Sequence, residues 1–239
     1  MGIYDDRVKS IRKAEAGSHA EAYHNYELYS PGSWLSKPVK TVMDSLPYFD
    51  GYKQLRVLDL GSGIGRNAIA IAERFQNIEC RIDCVDILEV AIEKLKENAQ
   101  KYEVVNSIIG IVSSIDEFQI PIDRYDLILA ISALEHINSV EAFENKLLEI
   151  KRGLRRNGIA CFIVNSGVKE CSKETGDARI PQFEVNIPTD KMLNLLMNSF
   201  NDWTVLKQTV VHQTYEIPRE SGMSLVDTDV VTLVVRKMK

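Results

Sequence analysis

Val57-Leu58-Asp59-Leu60-Gly61-Ser62-Gly63-Ile64-Gly65-Arg66-Asn67-Ala68 places a glycine-rich turn between two kinds of periodicity. Before it, the apolar run Leu55–Leu60 reads as a buried strand; after it, Ala68, Ile71, Ala72 and Phe75 recur at helical spacing. Strand, glycine turn and helix open a βαβ unit. Glycine is required in such a turn because the chain reverses tightly and a ligand approaches backbone N–H groups with no Cβ in the way. The dinucleotide pattern GxGxxG fails here, since its last glycine falls where Arg66 stands. Asp59, two residues before the first glycine, would repel a pyrophosphate but suits an ammonium group or an ordered water, so an amino-acid moiety fits the turn better.

The same rhythm continues outward. Apolar runs at Cys80–Ile87, Ser107–Val112, Tyr125–Ile131 and Ile159–Asn165 alternate with helical stretches, one of them striped by Val140, Phe143, Leu147, Ile150 and Leu154. Parallel strands covered on both faces follow, the doubly wound α/β class. Asn138 with Glu141 resembles a capping box and Gly158 a stop, which predicts a helix over about Ser139–Arg156. Residues 166–188 are polar, carry Gly167, Gly176, Pro181 and Pro188, and read as a loop or lid. Thr189–Phe200 then reads as a helix, and Trp203–Tyr215 and Thr228–Met238 as an antiparallel pair joined through the turn-rich Pro218–Gly222. Residues 1–52 differ in composition and are expected to form a helical extension or lid ahead of a domain over residues 53–239.

Composition bounds the function. The 239 residues are 45% hydrophobic and 26% charged, with a formal net charge of −5. That balance offers no general attraction to phosphate backbones, so no nucleic-acid partner is expected. No apolar run is long enough to cross a bilayer and the N-terminus lacks an apolar signal core, so neither a membrane nor a secretory route is expected and the cytoplasm is the expected address. Lys151, Arg152, Arg155 and Arg156 read as cations at a helix C-terminus. Cys80, Cys84, Cys161 and Cys171 form no CxxC pair and read as reduced, mostly buried residues; no metal site is expected.

The second strand ends at Cys84-Val85-Asp86-Ile87, placing a carboxylate roughly 20 residues beyond the glycine turn, where ribose hydroxyls are bound in such folds. Asp86 could also cap the next helix with Glu89 as the reciprocal residue; both roles are compatible, and ribose binding is the preferred reading. On these residues, together with Ser113–Asp116, Tyr125–His136 and Leu154–Gly158 in order, the chain resembles the class I S-adenosylmethionine-dependent methyltransferases across about Leu55–Asn165. The resemblance implies a seven-stranded sheet in the order 3-2-1-4-5-7-6 with its last strand antiparallel. It implies S-adenosyl-L-methionine as cofactor and S-adenosyl-L-homocysteine as product, held by Asp59, Gly61, Ser62, Gly63, Gly65, Asp86 and Ile87. Ser114 and Ile115 would lie by the adenine, and Ala130 would line the pocket through its backbone. Gly65-Arg66-Asn67, the Pro181-Gln182-Phe183 loop and the closing strand resemble the branch that includes tellurite-resistance methyltransferases, although that branch frequently has Gly-Cys-Gly where this chain has Gly-Ser-Gly.

Methyl transfer from a sulfonium is an in-line displacement that needs alignment first and a base only for a protonated acceptor. His136, in Leu134-Glu135-His136-Ile137 just beyond the fourth strand, is the candidate base, with shielding of the cofactor as its other reading. His19, His24 and His212 have no spacing that ties them to the turn. Tyr23, Tyr26 and Tyr29 recur every three residues and make either a core face or an aromatic lid; Tyr29 and Trp34 are the candidate substrate contacts. The fourth strand lacks a Pro-Pro-aromatic sequence and no Pro-Cys nucleophile occurs, which favours a small-molecule acceptor over DNA and leaves a protein substrate open. A catalytically silent cofactor-binding module and a nicotinamide-dependent oxidoreductase are the competing readings.

Overall fold

A computed structural model of the chain describes residues 7–12, 17, 23, 26–219 and 221–238. Residues 7–12 are helical, and a short helix α1 (Lys40–Ser45) precedes the first strand. There follow β1 (Gln54–Leu60), α2 (Ala68–Arg74), β2 (Glu79–Asp86), α3 (Glu89–Lys101), β3 (Ile108–Val112), β4 (Tyr125–Ile131) and α4 (Val140–Gly153). The chain ends with β5 (Leu154–Ser172), the two-residue β6 (Ala178–Arg179), α5 (Thr189–Ser199), β7 (Thr204–Arg219) and β8 (Gly222–Arg236). The strands form one sheet ordered β3-β2-β1-β4-β5-β8-β7, with β6 beside β5. With β6 set aside this is the order 3-2-1-4-5-7-6. β1 to β5 run parallel, and β8 is antiparallel to both β5 and β7.

Alternation along the strands divides the core between the two faces. Leu55 and Val57 of β1 and Leu127 and Leu129 of β4 pack with Ala68, Ile71, Ile92 and Leu95 of α2 and α3. Leu58, Leu60, Ile128 and Ala130 pack with Phe143, Leu147, Ile150 and Leu196 of α4 and α5. Leu28, Leu35, Val42, Leu46 and Phe49 join the first face, so the segment before β1 is packed onto the α2–α3 side. Among the described residues no helix is long and apolar enough to cross a membrane.

Around α4 the boundaries differ from the sequence reading. Helix α4 begins one residue later than the expected box, with Ser139 Oγ accepting the Ala142 N–H at 3.1 Å, because the Asn138 N–H is taken by Asp116 Oδ1 at 3.0 Å. It ends at Gly153, not Arg156, where a Cβ would come within 2.4 Å of Ile120. Leu154 already pairs with Tyr125, so Arg155 and Arg156 lie on a strand.

The expected lid at 166–188 is partly sheet. β5 passes a bulge at Gly167 (φ +59°) and pairs Lys169–Ser172 with β8. The remainder is pinned to that extension. Val168 and Asn186 exchange two hydrogen bonds of 2.9 Å each, and Gly167 donates to Ile187 C=O at 2.8 Å. Phe183 joins Val168 and Val226 in a small separate core. The hairpin strands also run further than expected, reaching Arg219 and starting again at Gly222, whose φ of +97° suits the turn.

Candidate functional site

The glycine turn is fixed by its own backbone. Gly61 and Ser62 both donate to Val85 C=O, at 2.8 and 3.0 Å, which ties the end of β1 to the end of β2. Gly61, Gly63 and Gly65 have φ of +70°, +53° and +93°, a region that L side chains rarely occupy. At Gly63 a Cβ would stand 2.8 Å from Tyr23 Oη, and at Gly61 it would stand 2.6 Å from Ala133 Cβ. The turn is therefore flanked closely by the N-terminal segment on one side and by the residues after β4 on the other.

Among the described residues, two polar atoms in this cradle have no hydrogen-bond partner. Asp59 is 1% exposed and its Oδ2 makes no hydrogen bond; Ser62 Oγ is likewise buried and unbonded. Burial pushes the Asp59 carboxyl up to about 7, with the Arg66 charge opposing and the Asp86 charge adding to the rise. Burial in turn lowers the Arg66 guanidinium, against the charge of Asp59. Unsatisfied buried polar atoms of this kind are costly unless a ligand supplies their partners. An ammonium or other cationic donor fits them; a pyrophosphate does not.

Asp86 settles part of the choice left by sequence. Its Oδ2 accepts the Gly63 N–H at 2.8 Å and its Oδ1 accepts the Leu88 N–H at 2.9 Å. It thus braces the glycine turn and the entry to α3 together, although α3 itself is capped from Leu88 and not from Asp86. Beyond it, Ile87 is 48% exposed and free to face a ligand. Ser114 is buried, with Oγ accepting the Glu117 N–H at 3.3 Å, and Ile115 Cδ1 lies 4.0 Å from a Cβ built on Gly61. Ala130 lies within the sheet, in register with Leu60 and Phe162, and packs into the second core.

Past β4 the backbone bends at Ser132 (φ +49°) into a short 3-10 turn, Leu134–His136. His136 Nδ1 lies 3.0 Å from Glu184 Oε2, and its ring stacks on Phe183 with centroids 5.4 Å apart. Glu135 is fully buried; its Oε1 accepts from Asn165 N–H at 3.1 Å and Asn165 Nδ2 at 2.7 Å. Arg12, from the N-terminal helical stretch, reaches Asp116 Oδ2 at 2.8 Å and stands 3.5 Å from Glu184 Oε1. Arg7 donates to Phe183 C=O at 2.8 Å. Sequence reasoning named His136 in this group and passed over Glu135, Glu184, Asn165, Asp116 and Arg12. Glu135 stood beside His136 in the quoted run; the other residues come together only in three dimensions.

Tyr29 and Trp34 meet the glycine turn, not the His136 group. Tyr29 Oη donates to Arg66 C=O at 2.8 Å and its ring sits edge-on to Tyr102 at 5.4 Å; burial raises its hydroxyl pKa. Trp34 C=O accepts from Arg66 at 2.6 Å while the residue stays half-exposed. Val39 N–H adds a bond of 3.0 Å to Asn67 Oδ1. His19 and His24 lie outside the described residues, and His212 sits on the hairpin between Asp227 and Asp229, at 2.9 and 3.0 Å. Among the described residues no group of three or more His, Cys, Asp or Glu could hold a metal ion.

Residues 57–158 match the family model described as methyltransferase domain. No curated protein sequence matches the chain. Solved structures match widely. TehB from Haemophilus influenzae superposes with a TM-score of 0.61 at 20% identity, over 83% of this chain and 62% of that one. A S-adenosylmethionine-dependent methyltransferase from Methanosarcina mazei gives 0.57 at 12% identity, over 84% and 99%. A protein described for the conversion of a disulfide bond into a thioacetal group during echinomycin biosynthesis gives 0.59 at 16% identity, over 94% and 92%. Identities this low carry the fold; the likeness in class is carried by residues 57–158, which resemble a methyltransferase domain.

Proposed function

We propose that the protein transfers the methyl group of S-adenosylmethionine to a small-molecule acceptor. One observation carries the cofactor half: Asp59 Oδ2 and Ser62 Oγ are buried without partners beside a glycine turn braced by Asp86. Asp59 and Ser62 would hold the amino-acid end, Asp86 the ribose, and Ile87, Ser114 and Ile115 the adenine side. The cofactor supplies an electrophilic methyl group on a sulfonium; the protein supplies alignment and exclusion of water. His136, Glu135 and Phe183–Glu184 then wall the acceptor end, at the carboxyl ends of the strands where ligands bind in doubly wound folds.

The acidic balance and the absence of a Pro-Pro-aromatic sequence after β4 support a small acceptor. The four free cysteines support a reducing compartment, the cytoplasm. Calorimetric titration with S-adenosylmethionine, S-adenosylhomocysteine and oxidised nicotinamide dinucleotide tests the reading. Saturable binding of the first two alone is expected, and binding of the dinucleotide alone overturns it. Transfer of a labelled methyl group to any acceptor separates an active enzyme from a silent module.

A further inference from the structure

Strand β7 closes one side of the sheet, and among the described residues no strand pairs with its outer edge. It is 16 residues long, against the roughly three to ten of an ordinary strand. From Gln208 to Thr214 seven consecutive residues are exposed. Successive side chains in a strand point to opposite faces, so neither face of β7 is covered there, and every second residue also turns its N–H and C=O outward. The neighbouring strand is sunk by contrast: Val231 and Leu233 of β8, opposite Val210 and Gln208, are buried.

Long free edges are ordinarily guarded by charge, proline or a bulge. β7 turns its charged side chains back onto its own chain. Lys207 Nζ donates to Thr41 Oγ1 at 2.8 Å, and His212 lies between Asp227 and Asp229 of β8 at 2.9 and 3.0 Å. Glu216 meets Lys173 at 2.6 Å and Arg219 meets Glu170 at 3.0 Å. The bulge, between Val205 and Lys207, and Pro218 stand at the two ends of the strand. Apart from the tethered His212, the edge between them is Gln208, Thr209, Val210, Val211, Gln213 and Thr214, with Val210 43% and Val211 50% exposed.

The order of these residues fits a strand of the same sequence. Outward backbone groups recur at every second position, so an antiparallel ladder between two identical strands sets one residue opposite its own copy. Val211 is the midpoint of Lys207–Tyr215, the part of β7 beyond the bulge and short of Glu216. About it Thr209 faces Gln213, Gln208 faces Thr214, Val210 faces His212 and Lys207 faces Tyr215, and no like charges meet. The Gln–Thr pairs set an amide against a hydroxyl and β-branched Val211 packs on itself, both stabilising cross-strand contacts. A charged strand would find no countercharge on this edge, whereas a second copy finds its own complement.

We propose that β7 is the contact between two copies of this chain, paired antiparallel about a two-fold axis at Val211 so that the two sheets become one. The contact is isologous and occupies both free edges, so assembly closes at the dimer. Nine residues a side is fewer than the roughly 20–30 of a standard interface, which makes the dimer a weak one. Behind the contact β8 pairs with Lys169–Ser172 of β5, so the dimer edge and the small core around Phe183 share one strand.

Sedimentation velocity of the full chain from about 1 to about 200 μM tests the pairing. A species of twice the chain mass is expected to grow in as concentration rises. Val211→Lys and Val211→Glu, at a half-exposed side chain, each set like charges on the axis and are expected to weaken the dimer at least tenfold; an equimolar mixture of the two is expected to restore it. A wild type that stays monomeric throughout leaves the edge to another occupant and overturns the proposal. A dimer that either variant leaves intact, variants that do not recover on mixing, or assembly beyond the dimer overturns it equally. Should the variants fold poorly, amide hydrogen exchange of the wild type decides: amides within 207–215 are expected to exchange at least tenfold more slowly at the high concentration than at the low one, and equal exchange at both overturns the pairing.

Discussion

Replacing Asp86 by alanine separates the proposed ribose binding from the bracing of the free protein, the role its two backbone bonds show. Its oxygens accept the Gly63 and Leu88 N–H groups at 2.8 and 2.9 Å in a site only 9% exposed. A hydrogen bond to a charged group contributes about 1.5–3 kcal/mol. Loss of both therefore destabilises the free protein by up to about 3–6 kcal/mol, less whatever water entering the gap returns. Each ribose hydroxyl bond removed costs a further 1.5–3 kcal/mol in the complex alone, roughly a 10- to 150-fold loss of cofactor affinity. Asparagine is not a rescue: its amide nitrogen would face one of the two N–H donors, so Asp86→Asn should bind nearly as poorly as Asp86→Ala. Melting temperature and calorimetric affinity for S-adenosylmethionine read the two effects separately. A folded Asp86→Ala protein that binds the cofactor within threefold of wild type refutes the ribose role. An unchanged melting temperature refutes the bracing role.

Three further outcomes follow from the same geometry. The Asp59 carboxyl titrates near 7 in the fold against 3.8 as a free group, so the native state holds more protons in that interval and stability falls as pH rises from 3.8 to about 7. Asp59→Asn should flatten that slope, and in the wild type binding of the cationic cofactor near pH 7 should release protons; equal observed binding heats in phosphate and Tris, corrected for dilution alone, would show that Asp59 does not ionise on binding. Gly63→Val adds about 1–2 kcal/mol of backbone strain and a Cβ 2.8 Å from Tyr23 Oη, so cofactor binding should be lost; normal titration of the variant means the turn has been misread. Arg219→Met strips the bonds of 3.0 and 3.1 Å from buried Glu170 and the 2.7 Å bond to Gln182, which should cost about 3–5 kcal/mol and speed protease cleavage between 173 and 188; unchanged cleavage would show that the segment is not pinned through Arg219.

The sheet was legible because its signals are local. Alternation in β1 and β4 assigns Leu55, Val57, Leu127 and Leu129 to one face and Leu58, Leu60 and Ile128 to the other, and telling strand from helix there needs only neighbouring residues. Where the inward positions of a strand are polar, the same reading fails. β5 beyond Ser166 turns inward Glu170, at 6% exposure, and Ser172, at 6%, and so loses the apolar alternation that marks a strand. Glu170 is buried because Arg219, 49 residues away, supplies the countercharge. No pattern within the segment could announce that partner, and the polar run with its glycines and prolines read as a loop.

The two halves of the site were unequally legible for the same reason. Asp59, the glycines and Asp86 lie on consecutive elements, and the bond between Asp86 and Gly63 spans only 23 residues. The group around His136 is closed by contacts across 104 residues, Arg12 to Asp116, and 176 residues, Arg7 to Phe183. The segment that supplies Arg7 and Arg12 goes on to supply Tyr23, Tyr29, Trp34 and Val39 against the glycine turn, so one stretch of chain covers both halves. Its described aromatic residues lie against the glycine turn and its described arginines against the residues around His136. That division explains why Tyr29 and Trp34, expected as substrate contacts, stand against Arg66, and why Asp116 and Glu184 are brought beside His136 only in the folded chain.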